Sequence, residues 1–98
     1  MQVILSEMAV QELHDAIRYL DIERSGLGAE LGEEIERVLL RVGQYPYAGS
    51  VERGNVRKCL SHRFPYKLLY SIEEDHIFVI AIAHQHRRPE YWVDRNPG

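Results

Sequence analysis

The chain has 98 residues, 45% of them apolar and 28% charged, with a net charge of −3. These values predict one globular domain over residues 1–98 and argue against a uniformly basic nucleic-acid-binding protein. No membrane span or signal peptide is evident, and the lone Cys59 excludes an internal disulfide, so we expect a cytoplasmic protein. The charge is uneven: residues 1–40 carry a net −6 and residues 41–98 a net +3.

The first half of the chain predicts a short strand and two helices. Val3 to Leu5 is a strand candidate, and Ser6 is a suitable N-cap for a helix that ends near Ser25-Gly26. A second helix from about Ala29 ends near Gly43 and Tyr45-Pro46, and the short link predicts an antiparallel hairpin. The apolar stripes are Val10, Leu13, Ile17 and Leu20, then Leu31, Ile35, Val38, Leu39 and Val42, with Glu30, Glu33, Glu34, Glu36 and Arg37 predicted to face solvent.

The second half predicts strands. Residues 49–54 read as a loop, 55–60 and 66–72 as strands, 73–75 as a hairpin turn, and Ile77 to Ala83 as a final, central strand. The predicted fold class is α+β: an antiparallel sheet with an N-terminal helical hairpin packed on one face, in the order β-α-α-β-β-β.

The final strand is apolar on both faces, which raises the question of what covers the second one. Strict alternation places Ile77, Val79 and Ala81 on one face and Phe78, Ile80 and Ile82 on the other. Two helices cover only one face of a sheet. We therefore expect the tail after Pro89 to shield part of the other face, and a partner chain to cover the remainder through Phe78, Ile80, Ile82 and Trp92.

A polar cluster follows this strand directly. Its members are histidine, arginine, tyrosine and tryptophan side chains within nine positions, a typical way of presenting a functional surface. A structural interpretation is equally open, in which the arginines solvate the tail and the aromatic rings anchor it. The cluster comprises His84, His86, Arg87, Arg88, Tyr91 and Trp92.

Over nearly its whole length the chain resembles the RelE/ParE superfamily of bacterial type II toxins. The resemblance includes the element order, the Val56-Arg57-Lys58 segment and the run from Phe64 to Tyr70. It continues with the apolar strand leading into His84, and ends with residues 87–92 and Arg95. Such a resemblance implies a growth-inhibiting toxin bound and neutralised by a cognate antitoxin in a hetero-oligomer, without a cofactor, a metal ion or a membrane.

The superfamily has two branches with different targets. RelE-type members cut mRNA on the ribosome, whereas ParE-type members inhibit DNA gyrase and have no established catalytic set. Metal-free RNA cleavage needs proton-transfer groups and cations around the scissile phosphate. By resemblance, the candidate catalytic residues are Lys58, Lys67, Arg87 and Tyr91, with His84 and His86 as possible bases.

That catalytic set is only partial. A second catalytic lysine of the RelE pattern corresponds to Leu60, and Lys67 replaces an arginine and loses its bidentate geometry. A pI near 5.9 is also unfavourable for docking into ribosomal RNA. We therefore favour a ParE-like toxin without ribonuclease activity. A ribosome-dependent endoribonuclease is the alternative, and a non-toxic interaction module is a third hypothesis.

Overall fold

A computed structural model describes residues 1–95 as five strands, two α-helices and two short 3₁₀ turns. Ser6 caps the first helix by accepting a hydrogen bond from the Ala9 amide, as its type and position predict. Neither α-helix in residues 1–95 is long and apolar enough to cross a membrane. The elements are β1 (Gln2–Leu5), α1 (Glu7–Glu23), α2 (Leu27–Gln44), β2 (Ser50–Arg53), β3 (Val56–Leu60), β4 (Tyr66–Ile72) and β5 (His76–His84), with 3₁₀ turns at Pro46–Ala48 and Val93–Arg95.

The five strands form one mixed sheet in the order β1-β5-β4-β3-β2. Strands β2 to β5 pair with antiparallel neighbours, while β1 runs parallel to β5. The predicted α+β class and helical hairpin are confirmed. The purely antiparallel sheet is corrected by the β1–β5 pairing, and β4 rather than β5 is the middle strand of the five.

Residues 49–54 were predicted as a loop but contain β2. This short edge strand pairs with β3 across a tight turn in which Gly54 has a φ of +56°. Glycine adopts this left-handed conformation without strain, so the chain can reverse direction within a short turn. The flanking glycines and exposed side chains of β2 hide its strand character in the sequence.

The two helices pack on one face of the sheet, called here the helix-covered face. In α1 the side chains buried there are Ala9 and Ala16, with Leu13, Ile17 and Leu20 partly buried, whereas Val10 of the predicted stripe is 37% exposed. The predicted stripe of α2 is buried except at Leu39, which is partly buried, and Glu34, predicted to face solvent, is only 7% exposed. This carboxylate turns inward because it finds hydrogen-bond donors there.

A β-bulge in β5 changes which residues face the helices. Leu69 pairs with Ala81 and Tyr70 with Val79, so Ile80 is an extra residue without a partner on β4. One extra residue inverts the alternation beyond it. The predicted assignment is therefore wrong from Ala81 onward: Ile82 lies on the helix-covered face, and Ala81 shares the opposite face with Ile80.

The opposite face is covered by the C-terminal tail, residues 85–95. Trp92 is 1% exposed and packs in one cluster with Val56, Leu69, Ile80 and Ala81. The partial shielding of this face by the tail is thereby confirmed. We call it the tail-covered face.

The helical hairpin closes tightly at Gly28, near the start of α2. A Cβ atom at this position would lie 2.4 Å from the Ile17 carbonyl oxygen and 2.8 Å from Cγ of Asp21. The Gly28 amide donates a 2.8 Å hydrogen bond to the Asp21 carboxylate. Backbone contact between the helices therefore requires glycine here.

We predict that Gly28→Ala destabilises the fold by about 1–3 kcal/mol, because α1 backbone would have to move to admit the methyl group. Gly32→Ala is the matched control on the same helix. Its Cβ would meet only Cδ1 of Ile17, at 3.6 Å, so we expect a neutral or stabilising effect of up to about 1 kcal/mol. Urea unfolding of both variants decides the point, and equal effects at the two sites would contradict it.

Candidate functional site

The candidate site is built around an edge of β5 that β1 leaves unpaired. Strand β1 ends at Leu5, opposite Val79, while β5 continues to His84. Side chains bind the exposed backbone groups instead. The Ser6 hydroxyl donates to the Ile80 carbonyl oxygen at 3.1 Å, and the Ile82 amide donates to Oε1 of Glu12 at 3.1 Å.

Glu12 also binds the C-terminal tail. The Tyr91 hydroxyl donates to Oε2 of Glu12 at 2.9 Å, and the Arg95 guanidinium binds Oε1 at 2.9 Å. The side chains of Glu12 and Arg95 are only 17% and 16% exposed. Hydrogen bonds to a charged and largely shielded carboxylate are stronger than those of exposed pairs, so α1 holds the tail firmly at this edge.

Arg87 lies beside this contact. Its guanidinium carbon is 4.2 Å from the centre of the Tyr91 ring, and that of Arg95 is 4.9 Å from the same centre. Cation–π contacts of this kind orient a guanidinium while leaving its N–H groups available. On its other side Arg87 borders a groove of about 260 Å³ that is also lined by Tyr66 and His84.

The two candidate histidines form an aromatic stack at the end of β5. The His84 ring meets Tyr66 edge-on at 5.7 Å and His86 at 5.2 Å, and Nδ1 of His84 accepts a hydrogen bond from the His86 amide. Both His84 and His86 are exposed. The groove thus combines one oriented cation with imidazole and phenol rings and with the carboxylates of Glu12 and Asp15.

The environment of Tyr91 is unfavourable for proton transfer. Burial first, and then the neighbouring Glu12 carboxylate, raise the pKa of the Tyr91 hydroxyl above its ordinary value. The hydroxyl proton is already donated to Glu12. Tyr91 therefore acts as a hydrogen-bond donor within the fold and not as a ready base.

The two candidate lysines lie elsewhere. Lys58 is opposite Leu69 in the sheet and Lys67 is opposite Ala83, which places both on the tail-covered face. Nζ of Lys58 is 3.5 Å from the Glu52 carboxylate, and Lys67 is 7% exposed. Arg87 and Tyr91 are brought together as the sequence predicts, but neither lysine lines the described groove beside Arg87.

The four predicted partner-binding residues are mostly covered within the chain itself. Ile80 is 0% exposed, Ile82 is 2% exposed on the helix-covered face, and Trp92 is 1% exposed beneath the tail. Phe78 is partly exposed and borders an open groove of about 540 Å³ next to β1. Their contact with a partner stays a prediction, and of the four Phe78 is the one already accessible.

Glu34 holds the loop between β3 and β4 that leads to Tyr66. Its Oε2 accepts hydrogen bonds from the Ser61 hydroxyl at 2.8 Å and from the amides of His62 and Arg63 at 3.0 and 3.2 Å. The Ser61 bond is the largest cause that lowers the pKa of Glu34 to about 2, against the opposing effect of burial. This carboxylate fixes the entry of β4 and hence one wall of the groove.

Sequence reasoning missed Glu12 and Glu34. Both are glutamates on amphipathic helices, where the default expectation is a solvent-facing side chain. A weak signal existed for Glu34, which falls between the apolar positions Leu31 and Ile35. Nothing local distinguishes Glu12, because its partners are 70 to 83 residues away in the sequence.

We predict that Glu34→Gln lowers the free energy of unfolding at pH 7 by about 1–3 kcal/mol, since the amide cannot accept all of these hydrogen bonds. The folded-state pKa is below the usual 4.5, so the contribution of the carboxylate is complete above pH 4.5 and is lost as the pH falls toward 2. The difference between wild type and variant should therefore shrink across that range.

Urea unfolding at several pH values between 7 and 3 measures this dependence. Glu33→Gln, on an exposed neighbouring residue of the same helix, is the control and should change stability by less than about 0.5 kcal/mol. A wild-type to Glu34→Gln difference that stays constant down to pH 3 would show that the charge of Glu34 is unimportant.

Comparison with known proteins places these features in a family. Residues 3–89 match the model of the ParE toxin of the type II toxin-antitoxin system parDE. The match covers both helices and all five strands, and it ends just before Glu90. No curated protein matches the chain in sequence.

Solved structures show the same fold at low sequence identity. A chain of the chromosomal ParDE toxin–antitoxin system from P. aeruginosa superposes with a TM-score of 0.77 at 15% identity, covering 86% of this chain and 95% of that one. A chain of the intact E. coli RelBE toxin–antitoxin complex gives 0.65 at 20% identity, covering 88% and 98%. The isolated E. coli RelE toxin gives 0.65 at 19% identity, covering 95% and 93%.

Proposed function

Because the chain belongs to the ParE toxin family of type II toxin–antitoxin systems, we propose that it inhibits bacterial growth by binding a target enzyme, DNA gyrase, and that a cognate antitoxin neutralises it. In this proposal the protein is not an enzyme. Its active surface is the C-terminal tail with the adjoining groove, where Arg87 is presented on the ring of Tyr91.

The single observation that carries the choice of binding over catalysis is the state of Tyr91. Cleavage of RNA at a 2′-hydroxyl needs a base for that hydroxyl and an acid for the leaving oxygen. The Tyr91 hydroxyl is instead bound to the Glu12 carboxylate, and its pKa is raised. A half-buried tyrosine beside a carboxylate is a poor partner for a phosphate.

The positions of the candidate catalytic lysines also support binding over catalysis. A scissile phosphate requires several cations directed at one point. Lys58 is paired with Glu52 across the tail-covered face, whereas Arg87 borders the groove next to α1. With a net charge of −6 over residues 1–40, α1 and most of α2 would also repel a ribosomal RNA backbone.

An antitoxin partner is supported by the solved relatives and by the accessible surface. Two of the similar structures are described as toxin–antitoxin systems or complexes. In this chain the outer edge of β1 and the groove at Phe78 remain open, with Met8 52% and Ile4 40% exposed. An antitoxin segment covering this apolar region would form the hetero-oligomer expected of such a system.

Induced expression in a bacterium, with and without the neighbouring antitoxin gene, tests the proposal. We expect growth arrest with filamentation and DNA-damage signalling, intact mRNA, and protection by the antitoxin. Purified protein should inhibit DNA supercoiling by gyrase. Arrest of translation before any DNA damage, with codon-phased cuts in mRNA, would overturn the gyrase proposal.

The alternative is a ribosome-dependent endoribonuclease, and one observation favours it. Arg87 and Tyr91, which match the RelE pattern, do lie side by side with His84 near the same groove. Under this alternative, a double variant Arg87→Ala, Tyr91→Phe should abolish mRNA cutting while remaining folded. A complete lack of growth inhibition by the wild type, without antitoxin, would instead indicate a non-toxic interaction module.

A further inference from the structure

Besides the burial of Trp92 against the sheet, the tail is held by two polar contacts of very different strength. Glu90, which has a φ of +68°, forms an ion pair with Arg53 of β2 at 2.8 Å, but both side chains are more than half exposed. Exposed pairs of this kind contribute about 0–1 kcal/mol. The contact of Tyr91 and Arg95 with Glu12 is largely shielded from water, so it is the stronger of the two polar anchors.

The geometry points to a positioning function for Glu12. We propose that Glu12 sets the arrangement in which the tail meets the target of this toxin, and does so without touching the target. The inference rests on the proposed function, because it assumes that the tail carries the target-binding surface.

Glu12 affects the position of the exposed Arg87 through Tyr91. Its Oε2 fixes the hydroxyl of Tyr91, and its Oε1 fixes Arg95 and the Ile82 amide. The ring of Tyr91 in turn supports Arg87 at 4.2 Å. Glu12 and Asp15 line the same groove as Arg87, but among the described residues no carboxylate is ion-paired with Arg87, so its guanidinium can meet an acidic group of a partner.

Both oxygens of Glu12 are occupied, and its three partners come from two distant parts of the chain. One is a backbone group of β5 and two are tail side chains. Shortening this side chain would leave the Ile82 amide unpaired at the sheet edge and release both tail contacts together. No other residue of α1 has this combination in the described structure, which makes the arrangement specific to Glu12.

The single tryptophan allows a direct test, because Trp92 adjoins Tyr91 and is 1% exposed. We expect Glu12→Ala to shift Trp92 emission to the red while the far-ultraviolet circular dichroism stays unchanged. We also expect the protein level needed for growth arrest to rise about tenfold, equivalent to ~1.4 kcal/mol of lost binding. Glu12→Gln, which keeps one acceptor oxygen of the two, should lie between wild type and Glu12→Ala in both properties.

Two further variants complete the design. Glu23→Ala removes an exposed glutamate at the last position of α1 and should change neither Trp92 emission nor growth inhibition. Tyr91→Phe removes only the hydrogen bond between the Tyr91 hydroxyl and Glu12, and it tests the inference if Glu12→Ala does not fold. It should reduce growth inhibition with the fold intact.

Two results would overturn the inference. One is a folded Glu12→Ala protein with unchanged growth inhibition, whatever its Trp92 emission. The other is unchanged Trp92 emission in that variant. If the wild type itself fails to inhibit growth, the proposed function is wrong. Trp92 emission in Glu12→Ala then still shows whether Glu12 holds the tail in place.

Discussion

The structure depends on how the unpaired edge of β5 is completed. A backbone N–H or C=O group left without a partner in a protein interior is costly, and β5 runs beyond the end of β1. The chain solves this with side chains of its next segment, the Ser6 hydroxyl and the Glu12 carboxylate. The same carboxylate then binds the tail, so the edge of the sheet, the first helix and residues 91–95 share one contact.

The β-bulge at Ile80 lies in the same strand and determines which residues of β5 face each side of the sheet. By placing Ile80 and Ala81 on one face, it provides the apolar surface on which Trp92 packs. It also turns Ile82 toward the helices, where its amide meets Glu12 and its side chain joins the larger core. A regular strand would place Ile82 beneath the tail and Ala81 against α1, and neither cluster would pack as it does.

The sequence predicted what depends on local pattern. Helix periodicity, the Ser6 cap and the strand alternation of Tyr66 to Ile72 follow from neighbours within a few residues, and each is present in the structure. The bulge, the parallel pairing of β1 and the inward position of Glu34 depend on partners far along the chain. No periodicity encodes such partners, which explains why the alternation was wrong only beyond Ile80.

In the candidate site, too, contacts between residues close in sequence were predicted, and contacts with distant residues were not. Arg87 and Tyr91 are close in sequence and were predicted to act together, and they do lie in contact. Their environment depends on Glu12, because its largely shielded carboxylate accepts the hydrogen bond of the Tyr91 hydroxyl and fixes the orientation of the ring. In the proposed function these aromatic and basic residues serve as a binding surface, and Glu12 on the facing helix is the residue that holds them in place.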